Sequence, residues 1–177
     1  MIFTPLALAG AYLIQPELRA DERGFFARLF CVEEFAAHGL PTDIKQSNLS
    51  YNRFAGTLRG MHYQISPHAE AKLVSCTRGA IYDVIVDLRP ESPTFKQWVG
   101  AELTAKNRHG LFVPEGFAHG FQTLTDDCDV AYQMFALYQA ESARGVRWDD
   151  PAFAITWRDG AGAMMSERDR NYPDFEG

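Results

Sequence analysis

Residues 56–79 read GTLRGMHYQISPHAEAKLVSCTRG, which predicts two short strands joined by a polar connector. Side chains alternate along the first strand, so His62 and Gln64 share one face, and Lys72 shares a face of the second strand with Val74. A histidine that titrates near neutral pH and a lysine on rigid strands are typical of a preorganised site. A surface hairpin with an ordinary histidine and a solvated lysine fits this stretch equally well.

The rest of the chain repeats this pattern of short strands separated by turns. One helix is predicted over residues 31–40, where apolar positions have helical spacing and Gly39 marks the end. Turns recur roughly every 8–12 residues, which favours a sandwich or barrel. The further predicted strands span residues 2–15 (with breaks), 25–30, 45–51, 80–88, 98–103 and 129–138, and residues 111–124 contain the segment PEGFAHGF before a turn. The sequence therefore predicts an all-β fold with few helices.

Two of these strands carry polar side chains whose surroundings the pattern leaves open. Gln46, Asn48 and Ser50 share one face of the strand at 45–51, which is typical of a strand that lines a wet cleft. An exposed sheet face gives the same pattern. Asp83 alternates with isoleucines, so it is either a rim residue or a buried carboxylate with a partner.

Composition excludes several classes of protein. The 177 residues are predicted to form one domain, residues 1–177, and their net charge of −6 with no basic run disfavours nucleic acid and anionic membranes as partners. No apolar stretch approaches the ~20 residues needed to cross a bilayer. The cysteine count is odd and lacks metal-like spacing, which is typical of a reducing compartment. We therefore expect a cytoplasmic protein.

A second motif lies around His119, in the segment PEGFAH at residues 114–119. It matches P-x-G-x-x-H, the second half of the signature of cupin barrels. Many cupins bind a metal through this histidine and the ligands of an earlier H-x-H-x(3–4)-E. Here the earlier half fails, because Gln64 stands where the second histidine should be and no glutamate follows at the spacing of the motif. Two of four ligands are missing, so we expect a cupin-type jelly roll without a metal.

Eight segments, in order along nearly the whole chain, resemble the dTDP-4-dehydrorhamnose 3,5-epimerase family of nucleotide-sugar enzymes. One of them alone would carry little specificity, whereas eight in register are a specific match. The segments are DERGFF (21–26), QSNLS (46–50), LRGMHYQ (58–64), KLV (72–74), GAIYDVIVDLR (79–89), SPTF (92–95), PEGFAHGF (114–121) and RWDDP (147–151). The resemblance implies a jelly-roll epimerase of deoxysugar biosynthesis, usually a homodimer, that needs no cofactor or metal.

The resemblance also implies the catalytic roles. A 4-keto sugar has acidified protons at C3 and C5, and His62 would be the base that removes them, with Asp169 orienting its imidazole. Lys72 would stabilise the enolate that forms at the C4 oxygen, which is the largest expected electrostatic contribution. Tyr132 would be the acid that returns a proton to the opposite ring face.

The resemblance further implies a set of substrate-binding residues. Arginine forks suit the diphosphate of a nucleotide sugar, and Arg23 would reach across the dimer into the partner's site. Tyr138 would follow Tyr132 on the same face of the strand predicted at 129–138. The full set is Arg23, Phe26, Gln46, Asn48, Arg59, His119, Tyr138 and Arg168.

One of these residues conflicts with regular strand geometry. Arg59 and His62 are three residues apart, so a regular strand would direct them to opposite faces. We therefore predict a bulge or twist at Gly60 that brings both to the cleft. A regular ladder through residues 58–64 would contradict this prediction.

Three departures from the family pattern concern the substrate. The chain has Arg28 and Ala143 where the family commonly has glutamate, and Arg168 where it commonly has lysine. These changes alter what the site can hydrogen-bond. The most favoured activity is 3,5-epimerisation of dTDP-4-dehydro-6-deoxy-D-glucose. Epimerisation at C3 or C5 alone, the same chemistry on a CDP- or GDP-linked sugar, and a sugar-binding cupin without activity remain the alternatives.

Overall fold

The computed structural model describes residues 1–176, which are built almost entirely from β-strands. The strands are β1 Ile2–Pro5, β2 Tyr12–Gln15, β3 Arg19–Asp21, β4 Gly24–Phe26, β5 Gln46–Asn52, β6 Leu58–Gln64, β7 Lys72–Arg78, β8 Ala80–Asp87, β9 Trp98–Thr104, β10 Gly110–Val113, β11 Phe117–Thr123, β12 Cys128–Met134 and β13 Ala143–Gly145. The helices are α1 Val32–Ala37 and α2 Glu167–Arg170. The prediction of an all-β fold with few helices is confirmed.

The strands form two large antiparallel sheets. One has the order β1-β2-β10-β7-β12-β5 and the other the order β13-β6-β11-β8-β9. Strands β3 and β4 make a separate hairpin. Sequence neighbours are often not sheet neighbours, since β7 pairs with β10 and β12 while β8 pairs with β9 and β11. This crossing between two sheets is the jelly-roll arrangement.

The main core lies between the two sheets. Each sheet contributes alternate side chains, and each such side chain stabilises the fold by roughly 1.5–3 kcal/mol when fully buried. The members include Val74, Cys76, Leu111 and Val130 from the larger sheet and Ile81, Ile85, Phe117 and Phe121 from the smaller. Both faces of β8 are buried, so Asp83 is a buried carboxylate and the alternative of a rim residue is wrong.

The helix predicted over residues 31–40 is confirmed, with regular turns from Val32 to Ala37. Its buried residue, Phe35, packs against Phe3, Phe30 and Phe112 on the outer side of the larger sheet. Gly39 takes a φ of +69°, a conformation that favours glycine, and the helix ends there.

Two predicted strands are shorter in the structure. The strand predicted at 25–30 ends at Phe26, because the following residues turn to pack on α1, where Phe30 contacts Phe35. The strand predicted at 129–138 ends at Met134. Beyond it the chain leaves the ladder, and the backbone N–H of Tyr138 donates to a side chain instead of a strand.

The bulge predicted at Gly60 is confirmed. Strand β11 pairs His119 with His62 but Phe121 with Arg59, so three residue steps on β6 oppose two on β11. Gly60 has a φ of +136° and lies so close to Gly120 that a Cβ on it would come within 2.5 Å of the Gly120 Cα. Only two glycines permit this approach of the two backbones.

Candidate active site

A cleft of about 490 Å³ opens between β5, β6, β12, β13 and α2. Of the twelve site residues predicted from the sequence, seven line it: Gln46, Asn48, His62, Lys72, Tyr132, Tyr138 and Arg168. Asp169 lies directly behind His62, bonded to its ring. Residues from distant parts of the chain therefore meet in one cleft, as the prediction requires.

The His62 ring is held by Asp169. Its Nε2 lies 2.7 Å from Oδ1 of Asp169, and 42% of the His62 side chain is exposed compared with 8% of the Asp169 side chain. An ionised carboxylate can only accept, so Nε2 donates and Nδ1 keeps a free lone pair. This geometry leaves His62 in the tautomer that a base at Nδ1 needs.

Asp169 is positioned by the start of α2. Ser166 caps this helix by accepting the backbone N–H of Asp169, and the second carboxylate oxygen accepts the N–H of Gly60 at 3.4 Å. Burial raises the pKa of Asp169, but the hydrogen bond and charge of His62 and the N–H of Gly60 outweigh it and lower the pKa below 3.8. The carboxylate therefore stays ionised at neutral pH.

Tyr132 lies on the opposite wall, on β12. Its hydroxyl is 3.4 Å from Oγ of Ser50. Its ring makes a T-shaped contact with the ring of His119, and the two ring centroids are 6.2 Å apart. Burial strongly raises the pKa of the Tyr132 phenol, while the Ser50 hydrogen bond and the charge of Arg59 lower it less. The phenol therefore keeps its proton at neutral pH, which a general acid requires.

Lys72 is almost completely buried at the start of β7. Its Nζ donates to Oε1 of Glu70 at 2.6 Å, and the side chains of Lys72 and Glu70 are 5% and 9% exposed. Both residues line the cleft. Sequence reasoning missed Glu70, although its position two residues before Lys72 at a strand start is the spacing that places two side chains on one side.

The polar face of β5 lines the cleft. Of the two surroundings considered for this face, a wet cleft is therefore confirmed and an exposed sheet face is not. Gln46 accepts the backbone N–H of Tyr138 at 2.7 Å, which holds the chain after β12 against β5. The prediction that Tyr138 shares a strand face with Tyr132 is wrong, since β12 ends at Met134. Tyr138 nevertheless lines the same cleft because this hydrogen bond returns the chain to it.

Two predicted binding residues are absent from the cleft lining. Arg59 is exposed, and its Nε donates to Oδ1 of Asn52 at 2.7 Å, so the bulge does not bring Arg59 into the cleft lining of its own chain as predicted. His119 is buried, and its Nε2 lies 2.7 Å from Oδ1 of Asp83. The other oxygen of Asp83 is buried without a hydrogen-bond partner among residues 1–176.

Arg23 and Phe26 lie elsewhere in this chain. Arg23 is at the tip of the β3–β4 hairpin, where its exposed guanidinium pairs with Asp21. Phe26 is 65% exposed on the same hairpin. Arg28 pairs with Glu34 and, with Met1 and Arg108, lines a separate cavity of about 130 Å³. Of the three departures from the family pattern, only Ala143 and Arg168 line the cleft within one chain.

The structure also bears on metals and membranes. No group of three His, Cys, Asp or Glu side chains that could hold a metal occurs in residues 1–176. The absence of a metal stays a prediction. No helix in the described part of the chain is long and apolar enough to span a bilayer.

The two antiparallel sheets and the polar cleft between them define a protein of the cupin type. Comparison with family models gives a match over residues 5–177 to dTDP-4-dehydrorhamnose 3,5-epimerase. The chain belongs to this family, as the resemblance in the sequence predicted.

Individual relatives agree with this assignment. The chain is 44% identical to the dTDP-4-dehydrorhamnose 3,5-epimerase of Sinorhizobium fredii, over 99% of this chain and 90% of that protein. It is 39% identical to a dTDP-4-dehydrorhamnose 3-epimerase of Streptomyces niveus, over 97% of this chain and 82% of that protein. The crystal structure of the Bacillus anthracis 3,5-epimerase with TDP and PPi bound superposes with a TM-score of 0.94 at 42% identity, covering 98% of this chain and 99% of that one.

Proposed function

We propose that this protein epimerises dTDP-4-dehydro-6-deoxy-D-glucose at C3 and C5 to give dTDP-4-dehydro-L-rhamnose. Membership of the family supports the reaction class and the nucleotide-sugar substrate. The observation that carries the proposal is the His62–Asp169 pair at 2.7 Å, in a cleft that also holds Tyr132 and Lys72. A site that only bound sugar would not need a base and an acid facing one cleft.

The mechanism follows from these side chains. Nδ1 of His62 removes the proton from the carbon beside the C4 ketone, and the electron pair moves to the C4 oxygen as an enolate. The ammonium of Lys72 stabilises that oxygen. Tyr132 donates its proton to the opposite face of the carbon, so the centre is inverted. His62 then releases its proton to solvent and Tyr132 regains one, which completes the cycle.

We propose that the working form is a homodimer in the cytoplasm, each chain forming one domain. The support for a dimer is that Arg23 and Phe26 are exposed on a hairpin away from the cleft of their own chain. If the hairpin crosses to a partner, Arg23 completes the partner's site with a guanidinium for the diphosphate. Arg23→Ala would then raise KM for the substrate while the isolated fold keeps its stability.

A second candidate is epimerisation at C3 alone. A relative named as a 3-epimerase is 39% identical over almost the whole chain. Ala143 in the cleft wall, at a position where the family commonly has glutamate, removes an acceptor from the site. Both reactions use the same base and acid, so the cleft geometry is compatible with either.

Proton NMR in D2O tests the proposal and separates the two candidates. The protein is mixed with dTDP-4-dehydro-6-deoxy-D-glucose, and the C3 and C5 proton signals are followed. Loss of both signals with inversion supports the 3,5-epimerase. Loss of the C3 signal alone supports the 3-epimerase. Retention of both signals contradicts both candidates, and CDP- and GDP-linked sugars are then the next substrates to add.

A further inference from the structure

Glu70 and Lys72 form a buried ion pair in the wall of the cleft. The Nζ of Lys72 and Oε1 of Glu70 are 2.6 Å apart, and less than a tenth of either side chain is exposed. Lys72 begins β7 in the middle of the larger sheet, where its backbone is in register with Val113 on one side and Met134 on the other. The sheet therefore fixes the backbone of Lys72, and Glu70 fixes its ammonium group.

The other charged and titratable groups of the cleft make Glu70 distinctive. The other charged and titratable groups that line the cleft are His62 and Tyr63 on β6, Tyr132 on β12, Tyr138, Arg144 on β13 and Arg168 on α2. Two of these are guanidiniums, which repel an ammonium. Among the described residues that line the cleft, Glu70 is the only carboxylate. It is thus the group in the lining that offsets the cost of a buried lysine charge.

An ammonium has three N–H donors, and Glu70 accepts one of them. The remaining donors are free for a ligand in the cleft. A lysine without a carboxylate partner in such a buried, cationic setting loses its proton readily, and a neutral amine stabilises an enolate far less than an ammonium does.

We propose that Glu70 is a positioning residue, which holds the Lys72 amine protonated and directed into the cleft so that it can stabilise the oxyanion of the reaction. This inference rests on the proposed function, since it assigns Glu70 its role through Lys72. Glu70 need not touch the reacting atoms. A purely structural ion pair would affect folding alone, whereas the proposed role affects the pH dependence of turnover.

The variant Glu70→Gln tests this role, because it keeps an oxygen acceptor of the same size and removes the charge. Glu91→Gln, in the exposed loop between β8 and β9, is the matched control. The chain has only four lysines, so the side-chain ¹⁵N resonance of Lys72 can be assigned by its loss in Lys72→Met. This resonance is titrated without substrate, and kcat is measured against pH by proton exchange in D2O.

In Glu70→Gln we expect Lys72 to lose its proton at a pH at least about one unit lower, because an opposite charge shifts the ionisation of a buried group by about 1–3 units. The alkaline limb of the kcat–pH profile moves to lower pH by the same amount. The acidic limb stays at its wild-type position, and the whole profile of Glu91→Gln matches that of the wild type. Glu70→Asp keeps the charge but is one methylene shorter. It retains the wild-type alkaline limb with a lower kcat.

Three results would overturn the inference. The first is a Lys72 titration that is the same in Glu70→Gln and in the wild type. The second is a shifted titration with an unchanged kcat profile, which would make the pair structural only. The third, if Glu70→Gln does not fold, is a Glu70→Asp profile whose alkaline limb moves although the charge is kept. Failure of the proposed function is seen separately, as an absence of exchange by the wild type.

Discussion

Two histidine–aspartate pairs face each other across one strand pairing, and their surroundings differ. His62 and His119 are register partners on β6 and β11, and each ring has a carboxylate oxygen at 2.7 Å. The His62 side chain is 42% exposed at the cleft, whereas that of His119 is 6% exposed. The same two residue types thus form an open pair, His62–Asp169, which borders the cleft, and an enclosed pair, His119–Asp83, which protein surrounds.

The two carboxylates differ in the same way. Asp169 has partners for both oxygens, namely His62 and the N–H of Gly60. Asp83 is completely buried, and its second oxygen has no partner within residues 1–176. Exposure gives the first pair access to the cleft and to solvent. Enclosure makes the second pair part of the core, where the His119 ring packs against the Tyr132 ring in a T-shaped contact.

The largest expected effect is that of His62→Ala. We expect proton exchange at both carbons to fall by roughly 10²–10⁴, since the proposed general base is lost. Deuterium incorporation measured by NMR checks this, with His109→Ala outside the cleft as the control. Full activity in His62→Ala would assign the base to another residue and end the distinction between the two pairs.

Tyr132→Phe separates the proposed acid from the proposed base on the two sides of the cleft. We expect exchange to continue, because His62 can still remove and return a proton on its own face, while inversion falls roughly 10²-fold. The ratio of deuterium incorporated to product formed measures this split. An equal loss of exchange and inversion would show that Tyr132 acts on the first proton transfer as well.

Asp169→Asn tests the orienting role of the open pair. The amide keeps the size of the side chain but no longer selects the Nε2–H tautomer, so we expect kcat to fall roughly 10²-fold, the lower end of the contribution of general acid–base catalysis, with little change in KM. Steady-state kinetics check the prediction. An unchanged kcat would mean that the position of the His62 ring is set by its packing alone, including its edge contact with Tyr172.

Alanine variants of the two carboxylates sharpen the comparison through stability. Asp83→Ala leaves His119 unpaired in the core, which we expect to cost about 1–3 kcal/mol of unfolding free energy. Asp169→Ala costs less, because water reaches the half-exposed His62. Urea unfolding of both variants measures the difference. An equal cost would mean that the open pair belongs to the core as much as the enclosed one.

The smallest effect concerns acid stability. The pKa of Asp169 is lowered below 3.8 in the folded protein, so its contribution to stability is present above that value and is lost as pH falls through the folded pKa. Between neutral pH and about pH 3 the wild type should therefore lose slightly more stability than Asp169→Asn. Urea unfolding at both pH values compares them, and an equal loss would contradict the lowered pKa.

The sequence predicted the fold class and most of the strands, because these depend on local pattern. It predicted the bulge at Gly60 because Arg59 and His62, three residues apart, cannot share a face of a regular strand. Through the family resemblance it also predicted seven residues that line the cleft, whereas Arg23, Phe26, Arg59 and His119 lie outside the lining. It misjudged where strands end at Phe26 and Met134 because those ends depend on packing against α1 and on a hydrogen bond to Gln46.

Alternation and turn spacing determined that this chain is a β-sandwich, since the two-residue period of a strand can be recognised from neighbouring residues alone. The family resemblance predicted that His62, Lys72, Tyr132 and Asp169 belong together, and the structure places all four in the cleft or directly behind His62. Only the tertiary structure decided that the His62 pair is open and the His119 pair enclosed, and that Glu70 accompanies Lys72. Burial and hydrogen-bond partners depend on residues up to 109 positions apart, and no local pattern specifies which of two similar side chains will face the cleft.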